Sequence, residues 1–465
     1  MSSQSELRIN STGGGNGGAE KRSNGKRVGL TTGIAEAPRF SCSLGGAYSC
    51  TLATFGAVPI VHSGPGCILA QNFGQNFAGG LNGAGQLGNT STPCSCLVDE
   101  HVVFGGEAKL RALVDTTRQL VKGELFVVIS GCVPALIGDD VAGVVRDFKN
   151  DGAPIVIVNT AGFKGNSYHG YHSFIEAIID QLLTPKPVEK GLVNLFGVVP
   201  YQHIFWKGHL QVLKSLLASI GLRANMLFTE TDGLAAWSEV PAAELNLVFS
   251  PWCGVPSVER LEEKFGTPHL DFPSVPIGPK DTTAFLRAVG ERLGVDSKLV
   301  EAVIATEELR TYRFTEYVAD MAMIALPHAY AGIVADTSTA IGLTRYASNE
   351  LGWLPEVVVI TDDPPPNVRD SIAKHLTEGL ESAVKPRVVF EVDSHKIRLL
   401  LREHTVQILL ASSLEKYIAG DELQAMQVSV AFPTYDRLIV DRTYAGYRGG
   451  IALMEDVASK YGGPL

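Results

Sequence analysis

At 465 residues the chain exceeds what one ordinary hydrophobic core organises, so two to four domains are expected. It is 45% hydrophobic and 19% charged, the composition of a packed protein rather than a disordered one. Its 39 basic and 49 acidic side chains leave a net charge of −10 without long blocks, which argues against nucleic acid or an anionic membrane surface as partner, and no uninterrupted apolar run reads as a membrane span.

The first 35 residues lack the apolar segment of a signal peptide and read, from their Gly, Ser and Asn content, as a mobile tail. GGGNGG (13–18) belongs to that tail and is no phosphate loop, since no strand precedes it and no Lys-Ser/Thr follows. Beyond the tail, β-branched runs alternate with amphipathic stretches. LFVVIS (125–130) leads into VAGVVRDFKN, PIVIVNT (154–160) into HSFIEAIIDQLL, and VNLFGVV (193–199) into HLQVLKSLLASIG. LNLVFS (245–250) leads into VPSVERLEEKFG and VVVIT (357–361) into NVRDSIAKHLTEGL. This is the pattern of parallel strands covered on both faces by helices. Breaks at TPKPVEKG (184–191) and near 320–331 divide the chain into the tail and three doubly wound, Rossmann-like α/β domains around a central cleft, at 36–190, 191–325 and 326–465.

Seven cysteines, an odd number, make a poor disulfide framework and suit a reducing, cytoplasmic setting. Six of them, Cys42, Cys50, Cys67, Cys94, Cys96 and Cys132, fall in the first third, which points to a metal or redox site there. Cys67 follows a Gly-Pro-Gly turn at a predicted helix start, and Cys132 follows a predicted strand. Both positions lie where open parallel sheets bind ligands.

FSCSLGGAYS with Cys42, VHSGPGC with Cys67 and SGCVPALIGDD with Cys132 stand in order, 25 and 65 residues apart, with DEHVVFGGEAKL between the last two. Together with TAGFKGNSYHGYHSF and VNLFGVVP they resemble the nitrogenase component 1 superfamily over most of residues 40–455. The turn His62-Ser63-Gly64-Pro65-Gly66-Cys67 is similar to that family's H-G-x-x-G-C element. The resemblance implies that Cys42, Cys67 and Cys132 hold an iron–sulfur cluster of P-cluster type ([8Fe-7S]-like), shared with a second, α-like subunit in an α2β2 heterotetramer. It also implies an ATP-dependent iron–sulfur reductase component as electron donor. Gly64 and Gly66 would admit the cluster to the backbone.

FPTYDRLIVDRTYAGYRGG (432–450) is similar to the β-type C-terminus, and Ser250 stands where the α-type subunit carries a cofactor-binding cysteine. The chain would therefore relay electrons, and the partner would hold the cofactor at which substrate is reduced. Gly162 replaces a serine that ligates the oxidised cluster in some β subunits, and Cys94 and Cys96 stand where polar residues are found in molybdenum β subunits. These departures favour a nitrogenase-like reductase of the methylthio-alkane reductase type. The alternatives are a β subunit reducing dinitrogen, a cofactor-assembly scaffold, or a binding protein without iron.

The remaining residues carry plainer expectations. Cys94 and Cys96 line the site, with ligation as an extra role; Cys50 packs in the core, and Cys253 packs in the core or lines the substrate side. Asp139 and Asp140 cap a helix, and His62 makes a structural hydrogen bond. His169 and His172 sit at a subunit interface, and Asp436 with Arg437 forms an ion pair at a subunit contact.

Overall fold

The computed structural model describes residues 36–37, 39–76, 92–325 and 329–461; the expected tail of residues 1–35 lies outside them. Among the described residues twelve strands form three sheets, and every pairing is parallel. The first sheet contains β1 (Ala57–His62), β2 (Leu125–Ser130) and β3 (Ile155–Asn159) in sequence order. The second contains β4 (Glu189–Phe196), β5 (Arg223–Asn225), β6 (Ala243–Val248) and β7 (His269–Asp271) in the order β5-β4-β6-β7. The third contains β8 (Tyr330–Ala335), β9 (Leu354–Ile360), β10 (Arg387–Phe390), β11 (Ile408–Ala411) and β12 (Met426–Ser429) in the order β10-β9-β8-β11-β12.

The order reverses between β4 and β6 and between β8 and β11, the doubly wound arrangement. The first sheet gains the same reversal from an extended segment on the free edge of β1. Val61 N–H donates to the Pro93 carbonyl (2.8 Å), Ser95 N–H to Val61 (2.9 Å) and Leu97 N–H to Ser63 (3.0 Å). Register places His62 beside Ser130 and Ser130 beside Asn159, so all three strands end level.

Every residue of β2 is buried, as a strand covered on both faces requires. One face of each sheet feeds a common core that includes Val127, Leu195 and Ile333. The other faces of the first and third sheets build separate clusters, around Val128 and Val145 and around Val359 and Ile397. The expected strand 193–199 instead runs Glu189–Phe196, because Gly197 turns the chain at φ +83°. A Cβ there would stand 2.9 Å from the Phe249 nitrogen, which excludes other residues from that turn.

Helix Ser43–Ala53 crosses helix Ser167–Gln181 closely enough that side chains are forbidden at the crossing. A Cβ on Gly46 would lie 1.9 Å from the Ser167 carbonyl oxygen, and one on Gly170 2.0 Å from that of Ser43. This crossing carries Cys42, at the N-terminus of the first helix, to the loop that follows β3. Ser43 N–H donates to the Gly165 carbonyl at 3.0 Å.

Candidate metal centre at the end of the first sheet

The loops leaving β1, β2 and β3 emerge at one sheet end and bring three cysteines with them. After β1, the turn Ser63–Gly66 feeds helix Pro65–Asn76, with Cys67 in its first turn. There proline's missing N–H costs nothing, and the free backbone N–H groups favour a thiolate. The Ser63 hydroxyl donates to Cys67 Sγ at 3.2 Å. A Cβ on Gly131 would sit 2.4 Å from Ser63 Oγ, so glycine there lets the loop after β2 lie against the β1 turn. Cys132 follows directly and opens helix Cys132–Ile137.

Cys132 and Cys42 meet at Gly162, in the loop after β3. The Gly162 N–H donates to Cys132 Sγ at 3.0 Å. A Cβ on Gly162 would lie 3.2 Å from Cys132 Sγ and 3.5 Å from Cys42 Sγ. Glycine here lets two sulfurs converge on the backbone with a close fit. Cys42 is exposed, and Cys67 and Cys132 are half-buried. Beside Gly66 a Cβ would meet no protein atom within 4 Å, which leaves open space at the Cys67 turn.

Beneath these thiols lies a buried carboxylate. Asp139 accepts from Gly106 N–H (2.9 and 3.1 Å) and pairs with His62 Nε2 at 3.1 Å. Burial holds the His62 imidazole below its ordinary pKa, against the pull of Asp139, so the ring is neutral at neutral pH. Of the two aspartates expected to cap a helix, only Asp140 does so, accepting from Gly143 N–H at 2.8 Å. Asp139 instead ties β1 to the segment that follows Cys132.

Cys94 and Cys96 lie on the segment paired to β1. The Cys94 thiol donates to the Ser63 carbonyl at 3.7 Å, and Cys96 N–H donates to Cys94 Sγ at 3.4 Å. Burial chiefly, with the neighbouring Cys96 and Cys67, pushes the Cys94 thiol up to about 11. Cys50 and Cys253 are buried in the core, as expected.

The remaining candidate residues have partners within this chain. His172 Nε2 accepts from Gly254 N–H at 2.9 Å, His169 Nδ1 lies 3.0 Å from Asn166 Oδ1, and both rings pack on Trp252. Both histidines therefore find partners inside this chain. Asp436 and Arg437 do not pair with each other, because each is engaged by a different element. Asp436 accepts from Ser413 Oγ at 2.5 Å, and Arg437 bonds Asp456 at 2.8 Å. Sequence reasoning missed the role of Ser63 at Cys67, and it missed Arg39. Nothing in a serine after a strand or an arginine before a helix signals such contacts.

Among the described residues no three His, Cys, Asp or Glu side chains converge as a single metal ion requires. What the chain offers is separated sulfurs that receive N–H or O–H bonds, Cys67 from Ser63, Cys132 from Gly162 and Cys42 from Gln71. A thiol-only donor set is soft and suits iron–sulfur clusters, whose sulfur ligands are tuned by such hydrogen bonds. The residues present fit a body with several metal atoms.

Residues 42–461 match the family described as nitrogenase component 1 type oxidoreductase. The chain is 25% identical over 441 residues to the nitrogenase molybdenum-iron protein beta chain of Methanococcus maripaludis, covering 86% of this chain and 89% of that one. It is also 25% identical to the vanadium-iron protein beta chain of Trichormus variabilis, with 91% and 93% covered. The nitrogenase iron-molybdenum cofactor biosynthesis protein NifE of Methanococcus maripaludis is 26% identical, with 82% and 75% covered. Among solved structures, nitrogenase Cp1 at pH 6.5 superposes with a TM-score of 0.77 at 20% identity, covering 94% of this chain and 95% of that one, and so shares the fold. With match, fold and β-chain relatives in agreement, the chain belongs to the nitrogenase component 1 type oxidoreductases, as a β-type subunit.

Proposed function

We propose that this chain is the electron-relay subunit of a nitrogenase-like reductase, holding with Cys42, Cys67 and Cys132 an iron–sulfur cluster of P-cluster type shared with an α-like partner. The observation that carries this reading is that three thiols spread over 90 residues of the chain stand on loops at one sheet end, Cys42 and Cys132 at Gly162 and Cys67 on the turn after β1. Bound there, such a cluster supplies one-electron transfer between a donor protein and a cofactor in the partner. This chain's own part is to fix the sulfurs, donate hydrogen bonds to them from Ser63 and Gly162, and present a surface for a covering subunit.

Large apolar side chains stand exposed on the cysteine-bearing helices, Leu69 and Leu136, on the helix after the Cys94–Cys96 segment or at its N-cap, Val98, Val103 and Phe104 (84% exposed), and beside Gly162, Phe163. An apolar patch around a metal centre fits an α-like subunit in an α2β2 tetramer. The electron donor in this reading is an ATP-dependent iron–sulfur reductase component. Among the described residues no helix is long and apolar enough to cross a membrane.

The chemistry itself is assigned to the partner. Ser250 is buried, and its hydroxyl accepts from Trp252 N–H (3.4 Å) and Cys253 N–H (3.1 Å), so it is occupied in a backbone turn rather than offered to a cofactor. The reaction we propose is reductive C–S cleavage of methylthio-alkanes. The names of the relatives favour a second reading, reduction of dinitrogen, and the likeness to NifE supports a third, a cofactor-assembly scaffold.

The test is iron, acid-labile sulfide and low-temperature EPR on the anaerobically co-purified complex, wild type beside Cys67→Ala, followed by turnover with methylthio-alkanes and with dinitrogen. A multi-iron signal lost in the variant supports the relay. Iron and signal that survive Cys67→Ala overturn it, and a loaded complex that reduces neither substrate turns the reading to the scaffold.

A further inference from the structure

Cys94 and Cys96 do more than line the site. The segment that carries them is fixed to β1 by backbone bonds on both sides of Cys94, from Val61 to Pro93 (2.8 Å) and from Ser95 to Val61 (2.9 Å). Ser95, between the two cysteines, is turned inward, and its hydroxyl accepts from Ser63 N–H at 3.0 Å. Cys94 and Cys96 flank this inward residue and stay half-buried. Their register leads back to Ser63, the residue whose hydroxyl donates to Cys67 Sγ, while its carbonyl receives the Cys94 thiol.

Two thiols thus meet at one serine, Cys67 at its hydroxyl and Cys94 at its carbonyl, and Cys96 follows two residues on with its N–H donating to Cys94 Sγ. Cys96 holds a left-handed backbone, φ +46°. A non-glycine residue there costs about 1–2 kcal/mol, and such outliers persist where a site over-determines them. Simple lining would not require two adjacent thiols in this geometry, since serine or alanine would fill the same space without an oxidisable group.

We infer that Cys94 and Cys96 are further iron ligands, so that this chain contributes five thiolates rather than three to its metal centre. The inference rests on the reading that Cys67 holds an iron–sulfur cluster. No single ion is implied, because these side chains do not converge on one point. Each ligation forms one S–Fe bond and releases one proton to solvent, with no electron transferred. The extra pair secures the Cys67 side of the cluster within this chain instead of leaving it to the partner.

The experiment is differential alkylation of the anaerobic wild-type complex, iron-loaded and after chelator stripping, read by peptide mass spectrometry. It is paired with EPR and chelator-driven iron release for Cys94→Ala/Cys96→Ala. We expect Cys42, Cys67, Cys94, Cys96 and Cys132 to label only after stripping. The double variant should show an altered EPR spectrum and release iron about tenfold faster or more, in line with the losses that follow disruption of a metal's coordination environment. If Cys94 and Cys96 label equally with and without iron while the other three are protected, the inference is overturned and the relay reading stands. Protection of all five with an unchanged variant spectrum and release rate makes the pair bystanders and overturns it as well. If Cys42, Cys67 and Cys132 also label equally in both states, the relay reading itself fails.

Discussion

Removing Arg39 should loosen the segment that carries Cys42. Its guanidinium is buried against Glu415, with side-chain exposures of 1% and 0%. Nη1 donates to Glu415 Oε2 at 3.0 Å and to Ser412 Oγ at 3.3 Å, and Nη2 donates to Ser394 Oγ at 3.1 Å. The same segment is held by Ser394 N–H donating to the Glu36 carbonyl at 3.1 Å. A methionine at 39 keeps much of the volume but leaves the Glu415 carboxylate buried without its cation. Breaking a buried pair from one side costs about 3–5 kcal/mol. Local opening of the segment admits water to Glu415 and relieves that cost, so the opening equilibrium should rise by between about 10² and 10⁴-fold. Hydrogen exchange at the amides of Ser394 and Ser43 reads it directly. Arg39→Met should speed both by that factor, and adding Glu415→Gln, which removes the stranded charge, should recover most of the protection. Exchange within about threefold of wild type in the single variant would refute the reasoning.

Further outcomes follow from the same geometry. Gly162→Val places methyl groups against Cys132 Sγ and Cys42, a crowding worth about 1–3 kcal/mol; iron retained per complex should drop while the melting temperature moves little, and an iron assay beside calorimetry checks both. Asp140→Ala removes one helix cap and should cost about 1 kcal/mol. Asp139→Ala strands the Gly106 N–H and buried His62, and should cost at least about twice as much by thermal unfolding. His209 is buried with both ring nitrogens unpartnered, and burial, then His203, lowers its pKa to about 3. The folded ring stays neutral while the unfolded one takes a proton below about pH 6.5, so stability is present above that pH and falls as pH drops toward 3. His209→Leu should flatten that acid-side loss, its advantage in melting temperature growing from pH 7 to pH 5.

Much of this molecule is legible in its sequence because the relevant physics is local. A strand buried on both faces must be apolar throughout, so LFVVIS declares β2 without help from its neighbours. A turn that leads from strand to helix must be built of small or rigid residues, so Ser-Gly-Pro-Gly marks the place where Cys67 is presented. Cys67 and Cys132 each follow a strand, so the end of the sheet at which they stand can be read from the sequence.

What the sequence leaves open depends on contacts between distant segments. Asp139 and Asp140 read alike, yet one caps a helix and the other is buried between Gly106 and His62, 77 residues away. Asp436 and Arg437 are neighbours of opposite charge that pair elsewhere, Asp436 with Ser413 and Arg437 with Asp456. The Arg39–Glu415 tie spans 376 residues and has no local signature at all. The sequence by itself determined the elements, through periodicity and turn chemistry, and its motifs resembled the family to which the chain belongs. Only the tertiary structure decided that Cys42 and Cys132 converge on Gly162, that Cys67 shares Ser63 with Cys94, and which buried charges hold them there. Those choices are made by chain crossings and burial, which no residue encodes alone.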